Sequence, residues 1–119
     1  MALVKSMLNH SPRLDRAFQA LSDPFRRGML ARLSLGPASV GELASPLPIS
    51  LPAVLQHLKA LEASGLVASE KKGRVRTVRM VPKALGAAED WLVERRREWE
   101  ARLDRFGDYV STLNGNGEG

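Results

Sequence analysis

The residues best suited to chemistry in this 119-residue chain gather between positions 50 and 76. Gln56, His57 and Lys59 fall in one short stretch, and Lys71, Lys72, Arg74 and Arg76 crowd around Gly73 just after it. A glutamine amide donates and accepts side by side, which suits the N6 and N7 edge of adenine. A lysine such as Lys59 suits a phosphate. Cations around a glycine turn lie well along a phosphate backbone or in a minor groove, where they supply affinity rather than base identity. The bland alternative for them is a solvated hairpin edge protected by charge. His57 has no catalytic company: no Ser–His–Asp set, glycine-rich phosphate loop or metal cluster accompanies it. It reads as a packing or phosphate-contacting residue, and the chain is not expected to be an enzyme. With no cysteine there is no disulfide, thiolate nucleophile or thiolate metal site.

Charge supports a polyanionic partner. The chain carries a formal +5, with 18 Lys+Arg against 13 Asp+Glu. Residues 1–49 hold six bases and three acids, residues 50–80 hold six and two, and residues 81–119 hold six and eight. The positive charge therefore lies on the front two-thirds of the chain. A 44% hydrophobic and 26% charged composition is that of an ordinary single globular domain. No apolar run approaches the roughly 18 residues of a membrane span, and residues 1–8 are too short for a secretory signal. A cytoplasmic protein with no membrane partner is expected.

The elements that must position these residues follow from local signals. Residues 1–10 are expected to be a flexible arm. A first helix runs from about Ser11 to Leu21, with Leu14, Ala17, Phe18 and Leu21 at helical spacing. Asp23-Pro24 opens a second helix, whose stripe is Met29, Leu30 and Leu33, and Gly36-Pro37 ends it. Ser39 and Glu42 form a capping box for a short third helix with Val40, Leu43 and Ala44 inward. Ser50 caps a fourth, Pro52 fits its first turn, and Gly65 stands where a C′ glycine belongs. In that helix Leu51, Val54, Leu58 and Leu61 mark one apolar face, with Pro52, Gln56 and Lys59 on the other. Strands at Leu66–Lys71 and Val75–Val81 flank the glycine turn, and Val78 and Met80 point to the core.

A last helix, about Lys83 to Leu113, repeats Leu85, Leu92, Trp99, Phe106 and Leu113 every seven residues, with Leu103 and Val110 between. Such a seam outruns the small core and suits a partner chain. Arg95-Arg96-Arg97, bracketed by Glu94, Glu98 and Glu100, reads as i,i+4 ion pairs on a solvated face. Residues 114–119 are expected to be a disordered tail, which leaves 11–113 as the folded domain. The fold class is mainly α with a small β-hairpin (α+β), in the form of a winged helix-turn-helix. That form places the fourth helix in a DNA major groove.

The order of elements resembles the ArsR family of bacterial winged-helix repressors. The motifs that carry it are Ala20-Leu21-Ser22-Asp23-Pro24-Phe25-Arg26-Arg27, then Gly41-Glu42-Leu43-Ala44, then His57-Leu58-Lys59-Ala60-Leu61-Glu62-Ala63-Ser64-Gly65-Leu66-Val67. Asp90-Trp91-Leu92, Trp99-Glu100 and Arg102-Leu103-Asp104 look like a metal-independent branch in which the first and last helices pair two subunits. The resemblance implies a homodimer through Leu14, Phe18, Leu92, Trp99, Leu103, Phe106 and Val110. It also implies DNA-facing positions at Ser50, Leu51, Pro52, Leu55, Gln56 and Lys59. Leu51 and Leu55 stay ambiguous between base contact, such as a thymine methyl for Leu55, and the buried flank. Where classical members carry metal-binding cysteines, this chain has Ala44-Ser45-Pro46, and no histidine follows His57. Oxygen ligands alone hold transition metals poorly, so no metal and no cofactor is expected.

Trp91 and Trp99 read as interface core or, less well, as an effector pocket; no small-molecule effector is identified. The expected function is a sequence-specific DNA-binding regulator, most simply a repressor on an inverted-repeat operator in double-stranded DNA. The competing reading is a winged-helix adaptor that binds another protein and not DNA.

Overall fold

The computed structural model describes residues 11–115, with side chains as far as Leu113. The expected arm at 1–10 and the tail residues 116–119 lie outside the described residues. The described chain falls into two units that meet in sequence between Ala88 and Glu89.

In the first unit, α1 (Pro12–Leu21), α2 (Pro24–Leu33), β1 (Ala38–Ser39), α3 (Val40–Ala44), α4 (Leu51–Ala63), β2 (Val67–Lys72) and β3 (Val75–Met80) follow in order. The helix starts are set by local hydrogen bonds. Ser11 Oγ accepts from the Leu14 amide at 3.2 Å. Asp23 Oδ1 accepts from the amides of Phe25 and Arg26 at 2.8 and 3.1 Å. Ser39 and Glu42 close the capping box in both directions, and Ser50 caps α4 through the Ala53 amide. Each cap satisfies an amide that the first helical turn leaves without a partner.

The α4 terminus is a Schellman motif. The Leu66 amide donates to the Leu61 carbonyl and the Gly65 amide to that of Glu62. Gly65 sits at φ +78°, a conformation that costs a side-chain residue strain. This reversal sends the chain straight into β2, so the reader helix and the hairpin share one junction.

The expected hairpin is part of a three-stranded antiparallel sheet in the order β1-β3-β2. The two-residue β1 pairs Ala38 with Val78 and Ser39 with Thr77. No sequence signal marked it. Gly73, at φ +62°, takes the first place in the β2–β3 turn, leaving Arg74 at the tip and Lys72 opposite Val75. The core gathers Met29, Leu30, Leu33, Leu43, Val54, Leu58, Leu61, Leu66 and Val78. Leu61 and Leu66 are fully buried, so truncating either to alanine is expected to cost about 2–5 kcal/mol.

The last helix, α5, runs Pro82–Gly115, so Pro82 belongs to its first turn and its end lies two residues beyond Leu113. Its opening residues Ala84 and Ala88 are buried. In the second unit, from Glu89 onward, Leu92, Trp99, Leu103, Phe106, Tyr109, Val110 and Leu113 are exposed. Arg95 pairs with Glu98 at 2.9 Å and Arg96 with Glu100 at 3.6 Å. Arg95 also lies over the Trp91 ring, 5.2 Å from its centroid. Arg96–Glu100 has the expected i,i+4 spacing, whereas Arg95 pairs at i,i+3.

Candidate nucleic-acid interface

The reader helix α4 buries Val54, Leu58 and Leu61, spaced i, i+4, i+7. Its outward face carries Leu51, Pro52, Leu55, Gln56 and Lys59, all exposed. Leu51 corrects the sequence reading that put it on the buried face: it is 53% exposed. The helical period is right, but the first turn lies at an open groove rather than over the core, so Leu51 is only partly covered. Leu55 is 45% exposed, which removes the buried-flank alternative for it as well. Ser50 Oγ accepts from the Ala53 amide at 3.3 Å, and its own hydroxyl proton remains available to a phosphate oxygen.

The wing places its cations beside this face. Leu51 and Leu55 from α4, Val75, Lys71, Arg74 and Arg76 from the hairpin, and Ser39, Val40 and Gly41 at the start of α3 line one open groove of about 410 Å³. No carboxylate lines it. Lys71 stands directly opposite Arg76 in the strand register, a like-charge pair that costs stability unless a polyanion lies against it. Arg76 Nη1 donates to Ser69 Oγ at 2.9 Å, and that hydroxyl donates to Glu62 Oε1 on α4. This relay ties the wing to the reader helix across the Gly65 junction. Its residues gave no local signal in the sequence.

His57 is held inside the fold. Arg26 Nε donates to His57 Nδ1 at 3.2 Å, and the Phe25 ring packs on the imidazole at a centroid distance of 5.9 Å. Asp23 Oδ1 lies 3.9 Å from the same nitrogen. The ring therefore joins the start of α2 to the middle of α4. At Asp23, desolvation pushes the carboxyl pKa up, but the Arg26 and Phe25 amides and the His57 and Arg26 charges outweigh it and leave it lowered. Arg26 and Arg27 both make internal bonds, Arg26 also to the Gln19 carbonyl and Arg27 to that of Leu21.

Of the residues expected at a dimer surface, Leu14 and Phe18 on α1 are half-buried. On α5, Trp99 is 58% exposed and Phe106 64%, with Leu92, Leu103 and Val110 also exposed. Among the described residues, no three His, Cys, Asp or Glu gather to hold a metal ion. No described helix is long and apolar enough to cross a membrane.

A helix, a tight turn into a reader helix, and a basic wing at its end define a winged helix-turn-helix. Comparison with known proteins agrees. A family model described as a helix-turn-helix domain matches residues 21–70. The HTH-type transcriptional regulator Rv2034 of Mycobacterium tuberculosis is 49% identical over 98 residues, 82% of this chain and 89% of that one. The transcriptional repressor SdpR of Bacillus subtilis is 33% identical over 61 residues, 51% of this chain and 68% of that one. A crystal structure of the ArsR family transcriptional regulator RHA00566 superposes with a TM-score of 0.71 at 46% identity, covering 74% of this chain and 97% of that one. The chain belongs to the ArsR family of winged helix-turn-helix, DNA-binding transcriptional regulators.

Proposed function

We propose that the chain acts as a homodimeric repressor that occludes an operator by laying α4 in the major groove and the wing along the flanking backbone. The observation that carries this is the single face on which the exposed side of α4 and the carboxylate-free basic groove of the wing meet. A polyanion relieves the Lys71–Arg76 repulsion, and the two-residue turn carries Arg74 outward to meet it. Gln56 faces a base edge in this arrangement, with adenine its best match. Lys59 and the wing cations Lys71, Lys72, Arg74 and Arg76 take phosphates, and Ser50 and Pro52 approach the backbone at the start of the helix.

The dimer rests on the α5 seam. Leu92, Trp99, Leu103, Phe106 and Val110 recur at heptad-like spacing and stand exposed, more apolar surface than a small monomer ordinarily leaves in water. Leu14 and Phe18 of α1 are proposed as further dimer contacts by the family resemblance. A dimer with two-fold symmetry presents its reader helices to successive major grooves about 34–36 Å apart, which calls for an imperfect inverted repeat. Repression is the reading that SdpR, a named repressor, supports.

Selection of bound duplexes from a random DNA library tests this directly. Enrichment of an inverted repeat with half-sites one helical turn apart is the expected result. Failure to enrich any sequence, with retained folding, would overturn the DNA-binding reading and favour the protein adaptor.

A further inference from the structure

We infer that Leu51 and Leu55 read the 5-methyl groups of pyrimidines in the major groove, so that each half-site presents a thymine or a 5-methylcytosine to α4. The inference rests on the proposed DNA-binding face. A lone exposed leucine needs no explanation. These two lie one turn apart on the same strip of helix, at 53% and 45% exposure, and Val75 across the groove is 53% exposed. The apolar strip is bordered by Lys71, Arg74 and Arg76 with no acid among the groove residues. A basic rim around an apolar floor complements a surface that is anionic outside and carries isolated methyls inside.

The chemistry of the groove then narrows the choice. Along the major-groove edges of the bases the polar features are hydrogen-bond donors and acceptors, and the apolar feature that stands out from the edge is the pyrimidine 5-methyl, which unmethylated cytosine replaces with a bare C5–H. A leucine has nothing to offer a donor or acceptor, and it leaves such an atom dehydrated and unpaired. Against a methyl it loses nothing and removes both surfaces from water. Leu51 and Leu55 therefore select for methyls at the positions they cover, against the polar edges of guanine and adenine by dehydration and against unmethylated cytosine by the lost methyl contact. Gln56, beside Leu55 in sequence, suits an adenine, whose partner is itself a thymine. The two readouts agree on A·T pairs.

The test uses the full-length protein and the operator that wild type selects from a random library. Each thymine of that duplex is replaced in turn by deoxyuridine, which deletes the methyl and leaves every hydrogen-bonding group in place. In a second set each cytosine is replaced by 5-methylcytosine. Wild type is expected to bind about fourfold more weakly for each recognised methyl removed, from the usual worth of one buried carbon. The Leu55→Ala variant should bind the thymine and uracil duplexes equally at its position, and Leu51→Ala at the neighbouring one. Unchanged thermal unfolding of both variants would show that the exposed leucines do not act through folding. Gain of affinity with 5-methylcytosine at a position blind to uracil would support the inference with that base as the source. Equal binding to all duplexes by wild type would overturn it, and so would uracil sensitivity that survives in both alanine variants. A library that enriches no sequence at all removes the DNA-binding reading itself and with it this inference.

Discussion

Two parts of this molecule hold apolar side chains in water, and they do so differently. On α4 and the wing, Leu51, Leu55 and Val75 are few and stand among Lys71, Arg74 and Arg76 with no acid in the groove. On α5 from Glu89 onward, the exposed Leu92, Trp99, Leu103 and Phe106 form a long repeating seam. The charges beside it pair with one another, Arg95 with Glu98 and Arg96 with Glu100. Unpaired cations of one sign ask for an anion from outside, whereas self-neutralised charges beside an apolar stripe ask for a like surface. In the function proposed above, the first region meets DNA and the second meets a second copy of the chain.

The largest effect should come from the seam. Trp99→Glu places a charge in its centre and is expected to give a monomer by light scattering. Losing the linked second half-site should weaken operator binding by about 10²–10⁴-fold. A monomeric wild type at micromolar concentration would break the comparison at this point.

Within the DNA face, the tip cation and the glutamine should separate. Gln56→Ala is expected to relax preference at one base pair per half-site, at a cost of roughly 1–3 kcal/mol, with the salt dependence unchanged. Arg74→Ala should weaken binding to all sequences alike and lower the log–log salt slope by roughly one. Titrations at several salt concentrations distinguish them; an unaltered slope for the Arg74 variant would make the wing a charged edge only.

A smaller effect probes the cluster that fastens α2 to α4. The folded-state pKa of Asp23 is lowered from 3.8. Its carboxylate therefore stabilises the fold above that pH, and the contribution is lost as the pH falls through the folded value. Asp23→Asn keeps a good cap but not the charge. Thermal unfolding across pH should show wild type ahead at neutral pH and the two converging in acid. Removal of paired charges on α5 should show little of this, because those ion pairs are exposed and screened. The smallest effect expected is none: adding or chelating Zn²⁺ should leave operator affinity unaltered, since the chain has no cysteine and the described residues hold no imidazole or carboxylate cluster for a metal.

Local chemistry was legible in the sequence. Ser39 with Glu42, Asp23 before Pro24, Ser50 and Gly65 each act within four residues of themselves, and each does in the structure what its type and spacing imply. The heptad-like seam and the basic turn were legible for the same reason, since each is a repeat or a cluster along one element. What sequence reasoning missed joins distant segments. β1 is a strand only because Val78 and Thr77 of β3 offer it partners. Arg26 and His57 meet across 31 positions, and the Arg76–Ser69–Glu62 relay needs the hairpin folded back on α4.

By itself, then, the sequence determined the helices and the hairpin strands, the caps that start α1 to α4, and the sign of charge on the face between Ser50 and Arg76. Those properties depend on hydrogen bonds and periodicities that span a turn or two of chain. Only the tertiary structure decided which leucines of α4 are covered. Leu51 and Leu58 have the same side chain and fit the same helical stripe, yet Leu58 is buried and Leu51 is not. Burial depends on what other segments bring within van der Waals reach, and around the first turn of α4 they bring only the rim of an open groove.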